Sequence, residues 1–390
     1  MIVHNFPTPY RMPLFERLGT LWRLEVWFCS PRDQARNWSP GATDILGATT
    51  RVLPRFMLRS MIINYTIPFD AARSRADVVI LSEDPATIFT TLGVATICRL
   101  RKIPFLLWTE HVLASRALPG QLGPLAFLRH LIYTAIRRLL VTHSAAVLCM
   151  SGMASVRELS SLTSRLPPTF TGTQVMPSAL LPSRLQRTVR ARTGLLFLGY
   201  FRPEKDITTL VEAFTDVASS TDVLTIAGDG PLRNDLANLV RGTPNLHLLD
   251  YVTGEDKASL IEGATALVLP SVYEPWGLVV NESLYFGTPV IACEGVGASE
   301  LVEHEVNGLL FQWDTDGAGL RAVLRRFLRD ANLRERLAAG ARATPTDLLS
   351  AVSRGTQHIE NAVRSLDTPG SRPANQTSRR FRNRPTQRVP

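Results

Sequence analysis

Two glutamates, Glu274 and Glu282, flank the start of a predicted helix and are the side chains of this chain best placed to do chemistry. Glu274 lies in a loop that begins at Pro270, directly after an apolar run that predicts a buried strand. The helix is predicted from Leu278 to Phe286, so Glu282 lies about one and a half turns inside it. Both carboxylates are expected to face one crevice at the carboxyl ends of the strands, where open α/β sheets bind ligands.

The start of this helix is predicted to bind an anion. Gly277 lets the backbone approach a ligand closely, and the amide N–H groups of a helix N-terminus suit a phosphate. The flanking carboxylates of Glu274 and Glu282 are better suited to accepting hydrogen bonds from hydroxyl groups than to holding the anion. A sugar and a ribose joined by a diphosphate match this arrangement. Two glutamates eight residues apart also arise by chance, as a loop acid and a solvated helix face.

The whole run from Pro270 to Phe311 is more informative than the two acids. It reads PSVYEPWGLVVNESLYFGTPVIACEGVGASELVEHEVNGLLF and resembles the donor-binding segment of family 4 glycosyltransferases, which are retaining enzymes of the GT-B fold. The likeness extends through Gly297 and Glu300 to Asn307-Gly308-Leu309. The resemblance implies that the first glutamate meets the transferred sugar and the second meets the nucleotide ribose. The donor-binding residues it implies around them are Trp276, Gly277 and Leu278.

The resemblance also covers the start of a predicted second domain at Gly194–Gly199. Family 4 enzymes usually show Gly-Arg at the end of this strand and Lys-Gly five residues later, and the Arg and Lys clamp the donor diphosphate. Lys205 matches the family lysine, which makes it a catalytic candidate together with Glu274. Tyr200 stands in place of the Arg and Asp206 in place of the Gly. Arg202 is a candidate to reach the same anion.

Two further segments are expected to line the base pocket. Gly228-Asp229-Gly230-Pro231 resembles the family's Gly-x-Gly-Pro turn, and Gly230 is interpreted as mostly structural. Val252 lies where relatives hold the nucleotide base through backbone groups.

Acceptor-side candidates lie in the first half of the chain. Glu110 and His111 follow a buried strand predicted from Ile103 to Trp108. Family members often have a histidine there, close to the transferred sugar, so His111 is a catalytic candidate; the alternative is a histidine satisfied by a neighbouring loop. Tyr10 and Arg11 occupy the loop that carries paired glycines in the family. They either face the cleft between domains or form a rigid turn.

The predicted architecture is α/β, with two doubly wound, Rossmann-like domains that face a cleft (GT-B). The chain of 390 residues is long enough for two domains. We expect an acceptor-side domain at 1–185 and a nucleotide-sugar domain at 194–346, with the boundary in a linker at 182–193 that contains four arginines and no acid. A helix within 347–366 is expected to cross back to the first domain, and the basic tail 367–390 is expected to be disordered.

Composition excludes several functions. The net charge is +9, but six arginines lie in residues 368–390, so the rest carries +3 and gives no reason to invoke nucleic acid. The four cysteines are scattered, as in proteins of a reducing compartment. With no signal peptide and no apolar run that could span a membrane, a cytoplasmic or peripheral protein is expected. No Asp-x-Asp pair suits a metal, so neither metal nor cofactor is implied beyond the co-substrate.

The segment from Pro124 to Leu140 predicts a helix with a basic polar surface. A basic amphipathic helix can lie on an anionic membrane, whereas a helix that covers the sheet with a solvated basic face is more frequent. Its predicted apolar stripe consists of Leu125, Leu128, Ile132 and Ile136, and its basic residues are Arg129, His130, Arg137 and Arg138. Ser151 is predicted to cap the helix that follows the next strand.

Taken together, these features predict a retaining hexosyltransferase that uses a nucleoside-diphosphate sugar. The acceptor is expected to be a glycan or a lipid-linked hydroxyl in cell-surface glycan, glycolipid or polysaccharide synthesis. A sugar-nucleotide 2-epimerase shares the fold and is the first alternative. A non-catalytic nucleotide-sugar-binding protein is the second, suggested by Tyr200 and Asp206.

Overall fold

The computed structural model of this chain describes residues 1–8, 10–32, 44–58, 61–110, 124–172, 174, 192–345 and 352–366. The first part contains nine strands and five helices among these residues, in the order β1 (Ile2–His4), α1 (Met12–Gly19), β2 (Leu24–Phe28), β3 (Ala48–Val52), β4 (Phe56–Leu58), β5 (Met61–Ile63), α2 (Ile67–Arg73), β6 (Val79–Ser82), α3 (Ile88–Leu100), β7 (Phe105–Thr109), α4 (Pro124–His143), β8 (Ala146–Cys149), α5 (Gly152–Leu162) and β9 (Thr169–Thr171).

The second part continues the alternation of strand and helix. Its elements are β10 (Leu195–Tyr200), α6 (Ile207–Val217), β11 (Leu224–Asp229), α7 (Arg233–Val240), β12 (Leu246–Leu249), α8 (Gly254–Gly263), β13 (Ala266–Leu269), α9 (Leu278–Tyr285), β14 (Val290–Cys293), β15 (Gly308–Phe311), α10 (Ala318–Arg329), α11 (Ala331–Ala343) and α12 (Val352–Arg364). Two 3-10 turns, Pro203–Lys205 and Gly297–Leu301, follow β10 and β14.

Two parallel sheets organise these elements. The first has the order β3-β2-β1-β6-β7-β8-β9, and the second has the order β12-β11-β10-β13-β14-β15. In each sheet the strand order reverses once, between β1 and β6 and between β10 and β13, which opens a crevice at the carboxyl ends of those strands. The prediction of two doubly wound, Rossmann-like domains is confirmed.

Apolar strands explain why both sheets are covered on both faces. Strands β8, β13 and β14 are buried at every position, as expected for parallel strands between helical layers. Helix α12 packs against the first sheet, where Ile359 and Ala362 share a core with Leu14 and Leu18 of α1. The predicted domain limits stay predictions, because the linker 175–191 and the tail 367–390 lie outside the described residues.

The prediction for helix α4 was wrong about which face is buried. Leu128 and Ile132 are 53% and 46% exposed, whereas Leu140 and Val141 are buried in the core of the sheet. The helix carries apolar residues on two faces, and the sequence pattern did not distinguish the covered one. A basic residue also lies inside, since Arg137 is fully buried.

Arg137 is buried because two carboxylates accompany it. It forms ion pairs with Glu83, which follows β6, and with Glu158 of α5. The Tyr133 hydroxyl also donates to Glu83 at 3.0 Å. A charge can be buried only when it is paired and hydrogen-bonded, and these partners are far from Arg137 in sequence. The predicted solvent-facing position of Arg137 was therefore wrong.

The predicted cap of α5 is also wrong. The Ser151 side chain does not cap α5; its hydroxyl donates instead to the carbonyl oxygen of Glu110 at 2.9 Å. Between β2 and α2, strand β3 joins the first sheet and strands β4 and β5 form an antiparallel hairpin.

Candidate active site

The crevice of the second sheet brings Lys205 and Glu274 together. Lys205 ends the turn after β10, and Glu274 lies in the loop after β13, so each follows one strand of the switch point. The Lys205 ammonium donates to the Glu274 carboxylate, and the two side chains are 17% and 14% exposed. The amide of Val272 also donates to the carbonyl oxygen of Glu204 at 3.0 Å, which ties the two loops together.

The start of α9 adjoins this ion pair. Gly277 stands at the N-cap position with φ +96°, a conformation that favours glycine, and no side chain caps the helix from that position. A Cβ atom at Gly277 would lie 3.2 Å from Glu274 Cγ, so the glutamate side chain packs against the start of the helix. The binding of a sugar diphosphate at this position stays a prediction.

Glu282 has a partner that sequence reasoning missed. Lys257 of α8 donates to Glu282 Oε1 at 2.5 Å, and the two side chains are 31% and 12% exposed. The other oxygen, Glu282 Oε2, is buried and has no hydrogen-bond partner within the described part of the chain. A buried acceptor without a partner is costly in a folded protein. A ligand hydroxyl that donates to this oxygen would remove the cost.

Trp276 and Leu278 contribute to packing rather than to an open surface. Trp276 is 2% exposed and donates from Nε1 to the Asn281 side chain at 2.8 Å. Its carbonyl oxygen accepts a hydrogen bond from the amide of Ala298 at 2.8 Å. Leu278 is partly buried against the same core. The indole ring therefore fixes the loop that carries Glu274, here called the donor loop.

The residues that depart from the family pattern have clear structural settings. The Arg202 guanidinium lies 4.9 Å from the centre of the Tyr200 ring. A cation is therefore present next to Tyr200, the residue that stands in place of the family Arg. Asp206 adopts the left-handed conformation (φ 52°), which Asp tolerates better than most residues. Its carboxylate accepts from Trp313 Nε1 at 2.9 Å and from Thr209 Oγ1 at 2.6 Å. Asp206 can therefore replace the family glycine.

At the carboxyl ends of β11 and β12, Arg233 holds the predicted base-pocket segments together. Its guanidinium donates to the carbonyl oxygens of Gly228 at 3.0 Å and Leu249 at 3.1 Å, and it pairs with Asp250. Gly230 packs against the backbone of Phe201. Arg233 was missed, although its place directly after the Gly-x-Gly-Pro turn could have indicated it. Val252, next along this edge, is partly buried.

Three acceptor-side candidates meet at one cleft of the first domain. Tyr10, Arg11 and Glu110 line this cleft with Trp108. Arg11 is 6% exposed and forms an ion pair with Glu110. Its guanidinium lies between two rings, 5.1 Å from the centre of Tyr10 and 5.8 Å from that of Trp108. The Trp108 indole also donates to Glu110 Oε1 at 2.7 Å.

A buried histidine supports this cleft. His4, the last residue of β1, lies 2.6 Å through Nε2 from Arg11 Nη1. Burial lowers the pKa of His4 well below its usual value, and the positive charge of Arg11 adds to the effect. His4 is therefore neutral and accepts from Arg11. Sequence reasoning passed over His4, although it ends a strand at the edge where site residues gather. His111 lies outside the described residues and stays a prediction.

Metal ligands do not gather in the described ranges, which contain no group of three or more His, Cys, Asp or Glu side chains able to hold an ion. In the crevice of the second sheet, here called the donor crevice, the charged groups form two pairs, Lys205–Glu274 and Lys257–Glu282. The expectation that no metal takes part stays a prediction.

The two sheets, each with a switch point at its carboxyl edge, define the GT-B architecture of glycosyltransferases. HepE from Anabaena, whose structure contains UDP and glucose, aligns with a TM-score of 0.68 and 17% identity over 94% of this chain and all of that chain. WaaG, a glycosyltransferase involved in lipopolysaccharide biosynthesis, aligns with a TM-score of 0.66 and 15% identity over 93% of this chain and 99% of that chain. These similarities confirm the fold.

Residues 190–344 match the model of the group 1 glycosyl transferase family, and the resemblance to family 4 is consistent with that match. LpsD of Rhizobium meliloti, a lipopolysaccharide core biosynthesis glycosyltransferase, is 35% identical over 151 residues, which cover 38% of this chain and 42% of LpsD. Alpha-D-kanosaminyltransferase of Streptomyces kanamyceticus is 31% identical over 180 residues, which cover 43% of this chain and 46% of that enzyme. The matched segments thus span less than half the length of these relatives.

Proposed function

We propose that this protein is a retaining glycosyltransferase that moves a hexose from a nucleoside-diphosphate sugar to an acceptor hydroxyl. The observation that carries the proposal is the Lys205–Glu274 ion pair at the switch point of the second sheet, beside the start of α9. It offers a cation for the diphosphate and a carboxylate for the sugar in the same crevice. Glu282, whose Oε2 has no partner within the described residues, accepts the ribose hydroxyls.

In this proposal most of the catalysis is electrostatic. When the bond between the sugar and the diphosphate breaks, negative charge grows on the departing phosphate oxygens. Lys205 and the amide groups at the start of α9 stabilise that charge, and Arg202 adds a second cation. The acceptor hydroxyl attacks from the face that the diphosphate leaves, and its proton passes to the leaving phosphate. This scheme requires no protein nucleophile, no metal and no cofactor besides the sugar nucleotide.

The acceptor hydroxyl is assigned to the cleft lined by Tyr10, Arg11 and Glu110. The Glu110 side chain is 22% exposed, and Arg11 and Trp108 hold its carboxylate in place. A carboxylate fixed in this way accepts a hydrogen bond from a sugar hydroxyl and orients it. His111 is proposed to contact the sugar from the same strand end.

The donor base is the first question for experiment. HepE binds UDP in its crystal structures, so uridine nucleotides are the first choice here. UDP-, GDP- and ADP-sugars are screened for a rise in melting temperature, because a ligand that binds only the native state stabilises it. The stabilising donor is then incubated with and without glycan or lipid-linked acceptors, in the presence and absence of a chelator.

Three results of this assay separate the candidate functions. A new α-linked product that forms only with an acceptor supports the proposal. A changed sugar in the nucleotide without any acceptor indicates a 2-epimerase. Binding without turnover of any donor indicates a non-catalytic nucleotide-sugar-binding protein.

We further propose that the acceptor is lipid-linked and that the first domain docks on an anionic membrane from the cytoplasmic side. Its apolar surface comprises the exposed residues Phe56, Met57, Leu58, Phe89, Phe127, Leu128, Leu131 and Ile132. Helices α3 and α4 pack together and both begin after parallel strands of the first sheet. The amide of Ile62 donates to the carbonyl oxygen of Ala86 at 2.7 Å, so the β4–β5 hairpin lies beside the start of α3. The surface thus adjoins the carboxyl edge that carries the acceptor cleft.

The charge around this surface supports anionic lipid as its occupant. Helices α3 and α4 contain no Asp or Glu, and Arg99, Arg129 and Arg138 are exposed on them. Exposed apolar side chains next to cations are the features by which a helix binds an anionic bilayer interface. None of the described helices meets the length and hydropathy of a membrane-spanning segment. All four cysteines are buried thiols, which fits a cytoplasmic location.

A further inference from the structure

The helix α5 of the first domain is capped by a residue of the second domain. At an N-terminus the first amide groups lack partners within the helix, and the residue before it usually supplies an oxygen. Ser151 stands at that position but makes no such bond. The amide of Met153 donates instead to Glu300 Oε2 at 3.1 Å, from the turn Gly297–Leu301 that follows β14.

The fit between Glu300 and α5 depends on Gly152. A Cβ atom at Gly152 would lie 2.3 Å from both carboxylate oxygens of Glu300, closer than side chains approach each other. Only glycine therefore admits the carboxylate to this position. The residue Glu300 as a whole remains exposed, but its carboxylate is packed at the contact, and burial raises its pKa while the Met153 amide opposes the shift.

The turn that carries Glu300 is bonded to the donor loop. The amide of Gly297 donates to the carbonyl oxygen of Glu274 at 3.0 Å, and that of Ala298 donates to the carbonyl oxygen of Trp276 at 2.8 Å. Glu274 and Val296 also form a parallel β-bridge. One short turn is thus hydrogen-bonded to the backbone of Glu274 on one side and, through the Glu300 side chain, to the start of α5 on the other.

We propose that Glu300 is a positioning residue that couples closure of the two domains to the placement of Glu274 in the donor crevice. This rests on the proposed function for its kinetic consequence. Glu300 contacts α5 rather than the donor crevice. Its loss should therefore lower kcat and leave nucleotide affinity unchanged.

Three variants test the coupling. Glu300→Gln weakens the cap, and Gly152→Ala displaces the same carboxylate from the opposite side. Glu303→Gln removes an exposed carboxylate three residues away and serves as the matched control. For both test variants we expect amide hydrogen exchange in the first turn of α5 to accelerate about tenfold. We also expect kcat to fall about tenfold, with the Kd for UDP within twofold of wild type. The double variant should be no worse than either single one, because both remove one contact.

Two results would overturn the inference. Unchanged exchange in Glu300→Gln would show that the carboxylate does not cap α5 in solution. Faster amide hydrogen exchange in α5 with unchanged kcat would show that Glu300 caps α5 but does not position Glu274. A wild-type protein without turnover of any sugar nucleotide would end the proposed function, and the exchange measurement alone would then decide whether Glu300 joins the domains.

Discussion

The ammonium group of Lys205 donates a hydrogen bond to the carboxylate of Glu274, across 69 residues of sequence. The two residues lie in the loops that follow neighbouring strands of one sheet, and each neutralises the other beside the start of α9. In the proposed complex this pair is shared with the donor, because the diphosphate attracts the cation and a sugar hydroxyl donates to the carboxylate.

Removing either member of this pair should abolish most turnover. For Lys205→Ala and Glu274→Gln we expect kcat/KM to fall roughly 10²-fold. Lys205 is assigned to the negative charge that grows on the departing diphosphate in the transition state, and Glu274 is assigned to the sugar. The melting temperature should change little, since partly exposed ion pairs contribute at most about 1 kcal/mol. Steady-state kinetics and thermal unfolding measure the two effects.

The control for this prediction is Arg326→Ala. It breaks an exposed pair with Glu305 at 2.5 Å in the same domain and should leave turnover unchanged. Wild-type turnover in both Lys205→Ala and Glu274→Gln would refute the assignment.

Substitution of Glu282 should weaken nucleotide binding and leave the rate of the chemical step largely unchanged. Its carboxylate is assigned to the ribose, so Glu282→Ala should raise the Kd for the nucleotide about tenfold, as expected for a hydrogen bond to a charged group worth about 1.5–3 kcal/mol. Lys257→Ala should weaken binding less, because Lys257 orients Glu282 without contacting the ligand. Calorimetric titration of the two single variants and the double variant tests this. Additive losses would contradict a role of Lys257 through Glu282.

The diphosphate clamp can be tested by exchanging positions 200 and 202. Arg202→Ala should weaken binding of a nucleoside diphosphate several-fold more than binding of the nucleoside, since its guanidinium is assigned to the phosphates. Adding Tyr200→Arg in that background restores the family pattern and should recover the affinity. Equal losses for nucleoside and diphosphate would remove Arg202 from the clamp.

Because His4 is buried, we expect the free energy of unfolding to depend on pH. Its pKa in the folded protein is lowered well below 6.5 by burial and by Arg11, so the unfolded chain binds a proton first as the pH falls. Its contribution is therefore fully present above pH 6.5. Below that value the free energy of unfolding should decrease by up to about 1.4 kcal/mol per pH unit from this residue. Denaturant unfolding of wild type and His4→Gln between pH 7.5 and 5 measures this effect. The free energy of unfolding should fall more steeply with decreasing pH in wild type than in the variant. An equal pH dependence in both proteins would contradict the neutral state of His4.

Membrane docking should depend on the exposed apolar stripe of α4. Phe127→Glu with Leu131→Glu places two anions where side chains are 54% and 48% exposed, so binding to vesicles that contain phosphatidylglycerol should be lost while folding is retained. Leu239→Glu alters an exposed leucine of the second domain and is the control. Co-sedimentation with vesicles is the measurement. Dimerisation of wild type that the double variant abolishes, without vesicle binding, would show that a second copy occupies this surface instead.

Sequence reasoning succeeded where local pattern determines the structure. The apolar runs predicted the parallel strands, and helix α9 begins at the predicted residue Leu278. The loops that carry Lys205 and Glu274 meet because the carboxyl ends of parallel strands share one edge. The departures from the family pattern were visible at Tyr200 and Asp206, but their consequences were not. The left-handed backbone of Asp206 and its bond to Trp313 explain why a family glycine can be replaced.

The sequence by itself determined the class of fold, the strand-end loops and the two glutamates, because these follow from apolar periodicity and from residues close together in the chain. Only the tertiary structure decided which charges meet. Arg137 lies inside because Glu83 and Glu158 surround it, Glu282 is paired with Lys257, and α5 is capped by Glu300 rather than by Ser151. Each of these contacts joins residues distant in sequence, so it depends on how helices and sheets pack and cannot be derived from local pattern.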